Sequence, residues 1–139
     1  ADIILGNHSH CVQPVEWLPG KDGGQALVFY SLGNFFADQY LLNPPIPKTE
    51  FAVLVDIELC MEEGGAAEFV SAGYRPTFTL KYKKQDSPNG LGYYMLPAGD
   101  YIAAEQMPDV FTRNSEWQMC KDAFAHVRKI FGDVITPLG

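Results

Sequence analysis

Between residues 51 and 61 the apolar side chains fall on every second position. Phe51, Val53, Val55, Ile57, Leu59 and Met61 alternate with Ala52, Leu54, Asp56, Glu58 and Cys60. Side chains alternate across a strand, so this period of two predicts a strand with one apolar and one mixed face. Glu62-Glu63-Gly64-Gly65 reads as a turn, and residues 69–83 as the returning strand, with a break at Gly73 and Pro76. The pair forms a long antiparallel hairpin. Nearer the N-terminus, the short apolar run Ile3 to Leu5 stops at Gly6 and reads as a buried strand feeding the loop Asn7-His8-Ser9-His10. Residues 14–18 and 26–32 predict a second hairpin around the glycine-rich turn at 20–24. A proline-rich loop follows through Pro44, Pro45 and Pro47, and Tyr93 to Pro97 read as a short edge strand.

Near the C-terminus the period changes. Trp117, Cys120, Phe124, Val127 and Phe131 recur at three- and four-residue steps, which is one face of a helix. Asn114 or Ser115 is the expected cap, Glu116 sits in the first turn, and Gly132 is the expected stop. An amphipathic helix must bury that stripe, so it reads as core. A shorter helix is expected over 100–107. No repeat or internal linker stands out, and the 139 residues read as one domain. The fold class predicted is α/β, α+β in this chain, with antiparallel hairpins and one long terminal helix packed on them.

Charge narrows the partners. The formal net charge is −7, and such a surface repels phosphate backbones, so nucleic acid is not an expected partner. Lys81 and Lys83 would share one solvated face of a strand. Cys11, Cys60 and Cys120 show no C-x-x-C spacing and read as free, mostly buried thiols. No apolar run approaches the roughly 20 residues of a membrane span, and no leader pattern is visible. The chain opens on a strand already under way, without an initiator Met, and is expected to be part of a longer protein.

His8 and His10 carry the candidate chemistry. In an extended segment residues i and i+2 point the same way, so two imidazoles could face one cation or a pair of cations. Taken alone, the pair equally suits two histidines hydrogen-bonded in a loop, because metal sites generally need three or four ligands. His126, in the terminal helix, reads as a helix residue.

The stretch ADIILGNHSHCVQPVEW, followed by ALVFYSLGNF, resembles the C-terminal signature of CapA-type capsule-biosynthesis proteins. That pattern is a strand, Gly-His-His-Pro-His, a Val/Gln-Pro segment with an acidic residue, a hairpin, and Tyr-Ser-Leu-Gly-Asn-Phe. Here it becomes Gly6 to His10, Val12 to Pro14 with Glu16, and Tyr30 to Phe35. Asn7 stands where the family often has His, and Ser9 where it often has Pro. Tyr74-Arg75-Pro76 and Tyr94 to Pro97 also resemble the family's C-terminal region.

The resemblance implies a calcineurin-like metallophosphoesterase sandwich of which this chain is the C-terminal portion. It implies that His8 and His10 bind divalent transition metals (Mn, Fe or Zn). Asn7, Gln13, Glu16, Ser31 and Asn34 would touch substrate or support the ligands, although Asn34 equally suits a turn after Gly33. The carboxylates and the remaining histidines would lie upstream. The implied partners are that N-terminal half and an anionic polymer or phosphoester substrate, at the cell surface. An exposed sheet edge would also favour self-association. The intact protein would be a hydrolase or transferase in poly-gamma-glutamate synthesis, with this chain alone inactive. The alternative is a non-catalytic binding or assembly module for surface-polymer export.

Overall fold

A computed structural model of the chain describes residues 1–21, 23–36 and 49–138. The proline-rich segment predicted around Pro44, Pro45 and Pro47 lies outside the described residues. The strands are β1 (Ile3–Leu5), β2 (Val15–Pro19), β3 (Gln25–Phe29), β4 (Phe51–Met61), β5 (Ala67–Lys83), β6 (Leu91–Pro97) and β7 (Thr136–Pro137), and the helix is α1 (Asn114–Phe131). The architecture is α+β. A three-stranded sheet runs in the order β1-β3-β2, with β1 parallel and β2 antiparallel to β3. A larger sheet runs β4-β5-β6, all antiparallel, with β7 joining β5 in parallel at Gly73 and Tyr74.

The alternation read over 51–61 spans β4. Its partner β5 runs unbroken through Gly73 and Pro76, against the predicted break. Pro76 is tolerated because its missing N–H would point away from β4. On that side β7 ends its pairing at Tyr74 and β6 begins at Thr77, so no ladder bond is lost. The irregularity lies elsewhere. Glu58 pairs with Ser71 but Leu59 pairs with Phe69, which leaves Val70 as the extra residue of a bulge.

Helix α1 presents the predicted stripe. Cys120, Val127 and Phe131 are buried, with Ala123 between them, and Trp117 and Phe124 are partly buried against the core. Phe131 joins the layers: its ring lies 6.1 Å from Phe29 of the small sheet and 4.9 Å from Tyr74 of the large one. The start of α1 differs from expectation. Neither Asn114 nor Ser115 caps it; Arg113 is the N-cap and Asn114 the first helical residue. The Glu116 carboxylate turns back to accept hydrogen bonds from the Thr112 and Arg113 backbone N–H groups, both at 3.1 Å. A carboxylate at the third helical position that reaches back to the N-cap N–H is the returning half of a capping box. Gly132, at φ 56°, ends the helix as predicted.

The helix expected over 100–107 reduces to a 3-10 turn at Ala98–Tyr101. Residues beyond it lack a repeating apolar stripe, and Tyr101, Met107 and Val110 pack on the core from irregular backbone. Strand β1 also departs from the reading. Ile4 is 46% and Leu5 56% exposed, because among the described residues β1 is an edge strand with β3 as its one neighbour. A run of apolar residues reports the capacity to be buried on both faces, and the described residues cover neither face fully. All three cysteines are free, with Cys11 and Cys120 buried and Cys60 exposed. Among the described residues no helix is long and apolar enough to cross a membrane.

Candidate functional site

The histidine loop springs from the end of β1, where Gly6 crosses the start of the segment that follows β3. The Gly6 N–H donates to the Phe29 carbonyl at 2.7 Å, and the Gly6 carbonyl accepts from the Leu32 N–H at 3.2 Å. A β-carbon at position 6 would stand 2.4 Å from the Tyr30 carbonyl oxygen, so this approach requires glycine. The chain then turns rather than extends. His8 and Ser9 form the turn, the His10 N–H donates to the Asn7 carbonyl at 3.3 Å, and His10 has φ 57°. The alternation argument for His8 and His10 therefore does not apply, because it holds for extended backbone. Left-handed backbone is uncommon outside glycine, although His is among the enriched residues. Cys11 and Val12 then return the chain to the core.

Four of the predicted residues meet. The segment Ser31 to Asn34 runs beneath the loop and is held between the sheets. Val12 bridges to Leu32, Gly33 bridges to Ala52, and the Val53 N–H donates to the Leu32 carbonyl at 2.9 Å. Asn34 is therefore buried at 4% exposure, and its Oδ1 lies 2.8 Å from His10 Nδ1. Its Nδ2 donates to the Thr49 carbonyl at 3.3 Å. Ser31 is fully buried; its hydroxyl donates to Asn7 Oδ1 at 3.3 Å and accepts from the Gly33 N–H at 3.4 Å. Asn34 follows Gly33, which stands at φ 78° in its bridge to Ala52, and the Asn34 amide meets the His10 ring.

The remaining candidates stand apart. His8 is exposed, and its side chain makes no hydrogen bond among the described residues. Gln13 joins through its backbone, its N–H donating to the Ser31 carbonyl at 3.0 Å. Glu16 is exposed on β2 and accepts from the Tyr30 hydroxyl. That hydrogen bond, with some burial and the nearby carboxylate charge, raises the Tyr30 phenol above its ordinary value. His126 is exposed on α1, its ring 5.7 Å from that of Phe51. Sequence reasoning missed Thr49. Its contribution is a backbone carbonyl, which carries no residue-type signal.

An apolar groove of about 370 Å³ adjoins Asn7, lined by Leu5, Leu32, Phe35, Val53 and Val55 among others. Chemically the loop offers two imidazoles and an amide, supported by buried hydroxyl and amide groups. Among the described residues no group of three or more His, Cys, Asp or Glu side chains is placed to hold a metal ion.

Residues 1–39 match the family described as bacterial capsule synthesis protein PGA_cap. Over 39 residues the chain is 49% identical to the PGA biosynthesis protein CapA of Bacillus subtilis (strain 168), which is 28% of this chain and 9% of that protein. The chain thus matches less than a tenth of its relative's length. No solved structure matches it. Residues 1–39 are thus similar to CapA-type capsule-biosynthesis proteins, and that stretch holds all seven candidate residues. The segments at 74–76 and 94–97 lie outside it.

Proposed function

We propose, from the capsule-synthesis sequence of residues 1–39, that this chain contributes the histidine loop of a metal-dependent hydrolase or transferase in surface-polymer synthesis. The observation that carries the reading is the loop itself. An exposed histidine pair lies in the matched segment, and one of its rings is anchored to a buried asparagine. In the intact protein the site would complete a metallophosphoesterase-like sandwich at the cell surface.

The residues present fit a divalent transition metal as part of a donor set. His8 and His10 would hold it, with Asn7 beside them, and Mn, Fe and Zn all accept imidazole. Two neutral imidazoles fall short of the three or four ligands such sites need, and they compensate no charge. The remaining ligands, carboxylates above all, would come from the N-terminal half. When bound, the metal supplies Lewis acidity toward a phosphoryl, ester or amide centre of an anionic substrate. Asn7 would orient substrate oxygens, and the apolar groove beside it would exclude water.

Elemental analysis of the intact protein, beside a variant with His8→Ala and His10→Ala, tests this reading. About two transition-metal ions in wild type, lost in the variant, would support it. Metal-free protein after supplementation would sink it and favour the second reading, a non-catalytic assembly module. Asn7, an amide where the family often has His, supports that second reading.

A further inference from the structure

We infer that Asn34 is a positioning residue that fixes His10 as its Nδ1–H tautomer, leaving the lone pair of that ring on Nε2. The geometry stands by itself; its consequence for metal binding rests on the reading above.

The Thr49 carbonyl can only accept, so the atom of Asn34 facing it at 3.3 Å is the NH₂ group. The other end of the same planar amide, Oδ1, is therefore the atom 2.8 Å from His10 Nδ1. A carbonyl oxygen can only accept, so Nδ1 carries the hydrogen. A neutral imidazole has one N–H and one lone pair, and the lone pair is then on Nε2. Asn34 is buried at 4% exposure, so water competes weakly for the amide. Its backbone follows Gly33, locked by the bridge to Ala52, so the amide has little freedom to retreat. His10 in turn holds left-handed backbone at φ 57°, which side chains other than glycine seldom adopt and which such an anchor supports. An outer partner that sets a histidine's tautomer is a common companion of metal ligands, and its loss costs about 10–100-fold in affinity.

The test uses the metal-free 139-residue chain at alkaline pH, with long-range ¹⁵N–¹H correlation of the His10 ring. A pyrrole-type Nδ1 and a pyridine-type Nε2 are expected in wild type. Asn34→Ala is expected to shift His10 toward the Nε2–H form while the backbone amide spectrum stays that of a folded chain. Asn34→Asp retains an acceptor and is expected to keep Nδ1 protonated. An Nε2–H ring in wild type overturns the inference whether or not either variant folds. So does an unchanged tautomer in folded Asn34→Ala. Calorimetric titration with Zn²⁺ separates the two ideas. An Nδ1–H ring with a roughly 10–100-fold weaker Zn²⁺ affinity in Asn34→Ala supports both. An Nδ1–H ring in a chain and an intact protein that both ignore Zn²⁺ keeps the positioning role and sinks the metal reading.

Discussion

Gly33→Ala is expected to destabilise the chain far more than an alanine at another left-handed glycine. Gly33 sits at φ 78°, where an L-residue pays about 1–2 kcal/mol. A β-carbon there would also lie 2.4 Å from the Phe51 carbonyl oxygen, 3.0 Å from Ala52 Cα and 3.2 Å from Val12 Cγ2. Two of those neighbours are backbone of β4, so relief requires the small sheet to move off the large one. Overpacking of this kind costs about 1–3 kcal/mol more. Alanine also restricts the unfolded chain, which returns about 0.4–1 kcal/mol. The net loss is about 1–5 kcal/mol. Gly64→Ala is the control: it has φ 77° and nothing within 4 Å of the added carbon. Strain and unfolded-state effects are shared by the two variants, so their difference isolates the clash at about 1–3 kcal/mol. Urea unfolding followed by tryptophan fluorescence measures it, as a lower midpoint at unchanged slope. Equal midpoints for the two variants would refute the claim that Gly33 is where the sheets are locked together.

Other outcomes follow from the same contacts. Glu116→Ala is expected to cost about 1–2 kcal/mol in urea unfolding, because it frees donors of Thr112 and Arg113 at once. Arg113→Ala should cost about 0–1 kcal/mol, since its side chain is 72% exposed; equal losses would contradict this division. Burial works against the charged Glu116, but hydrogen bonds from Arg113 and Thr112 outweigh it and hold the carboxyl below its ordinary 4.5. The stability it contributes is therefore full above that value and lost as pH falls through the lower, folded one. Native thiol titration should find Cys60 fast and Cys11 and Cys120 slow, because Cys60 alone is exposed. Burial, with a smaller effect of Asp100, pushes the Cys120 thiol up to about 12. Stability from this group is full below the ordinary thiol value and lost as pH rises toward 12, so Cys120→Ala should flatten the alkaline limb of a pH–stability curve. The exposed β1 edge should drive concentration-dependent self-association in sedimentation, and Leu5→Lys should reduce it; a monomeric wild type at high concentration would dismiss that idea.

Elements whose chemistry is local and periodic can be read directly from the order of the residues. The alternation over 51–61 sets β4, the three- and four-residue steps after Trp117 set the buried face of α1, and Gly132 stops it. The same order locates the histidine loop, because residue types at fixed spacing are written in the chain. What tertiary structure decided was which polar groups meet. A period-two argument put His8 and His10 on one face of an extended segment, yet the crossing at Gly6 leaves a tight turn and sends His10 to Asn34. Asn34, 24 residues away, is buried because Gly33 clips the small sheet to β4, and its orientation is set by the backbone carbonyl of Thr49. The Glu116 cap and the continuous path of β5 through Pro76 were hidden for the same reason. Hydrogen bonds to backbone depend on where the chain returns, and a residue's type does not encode that.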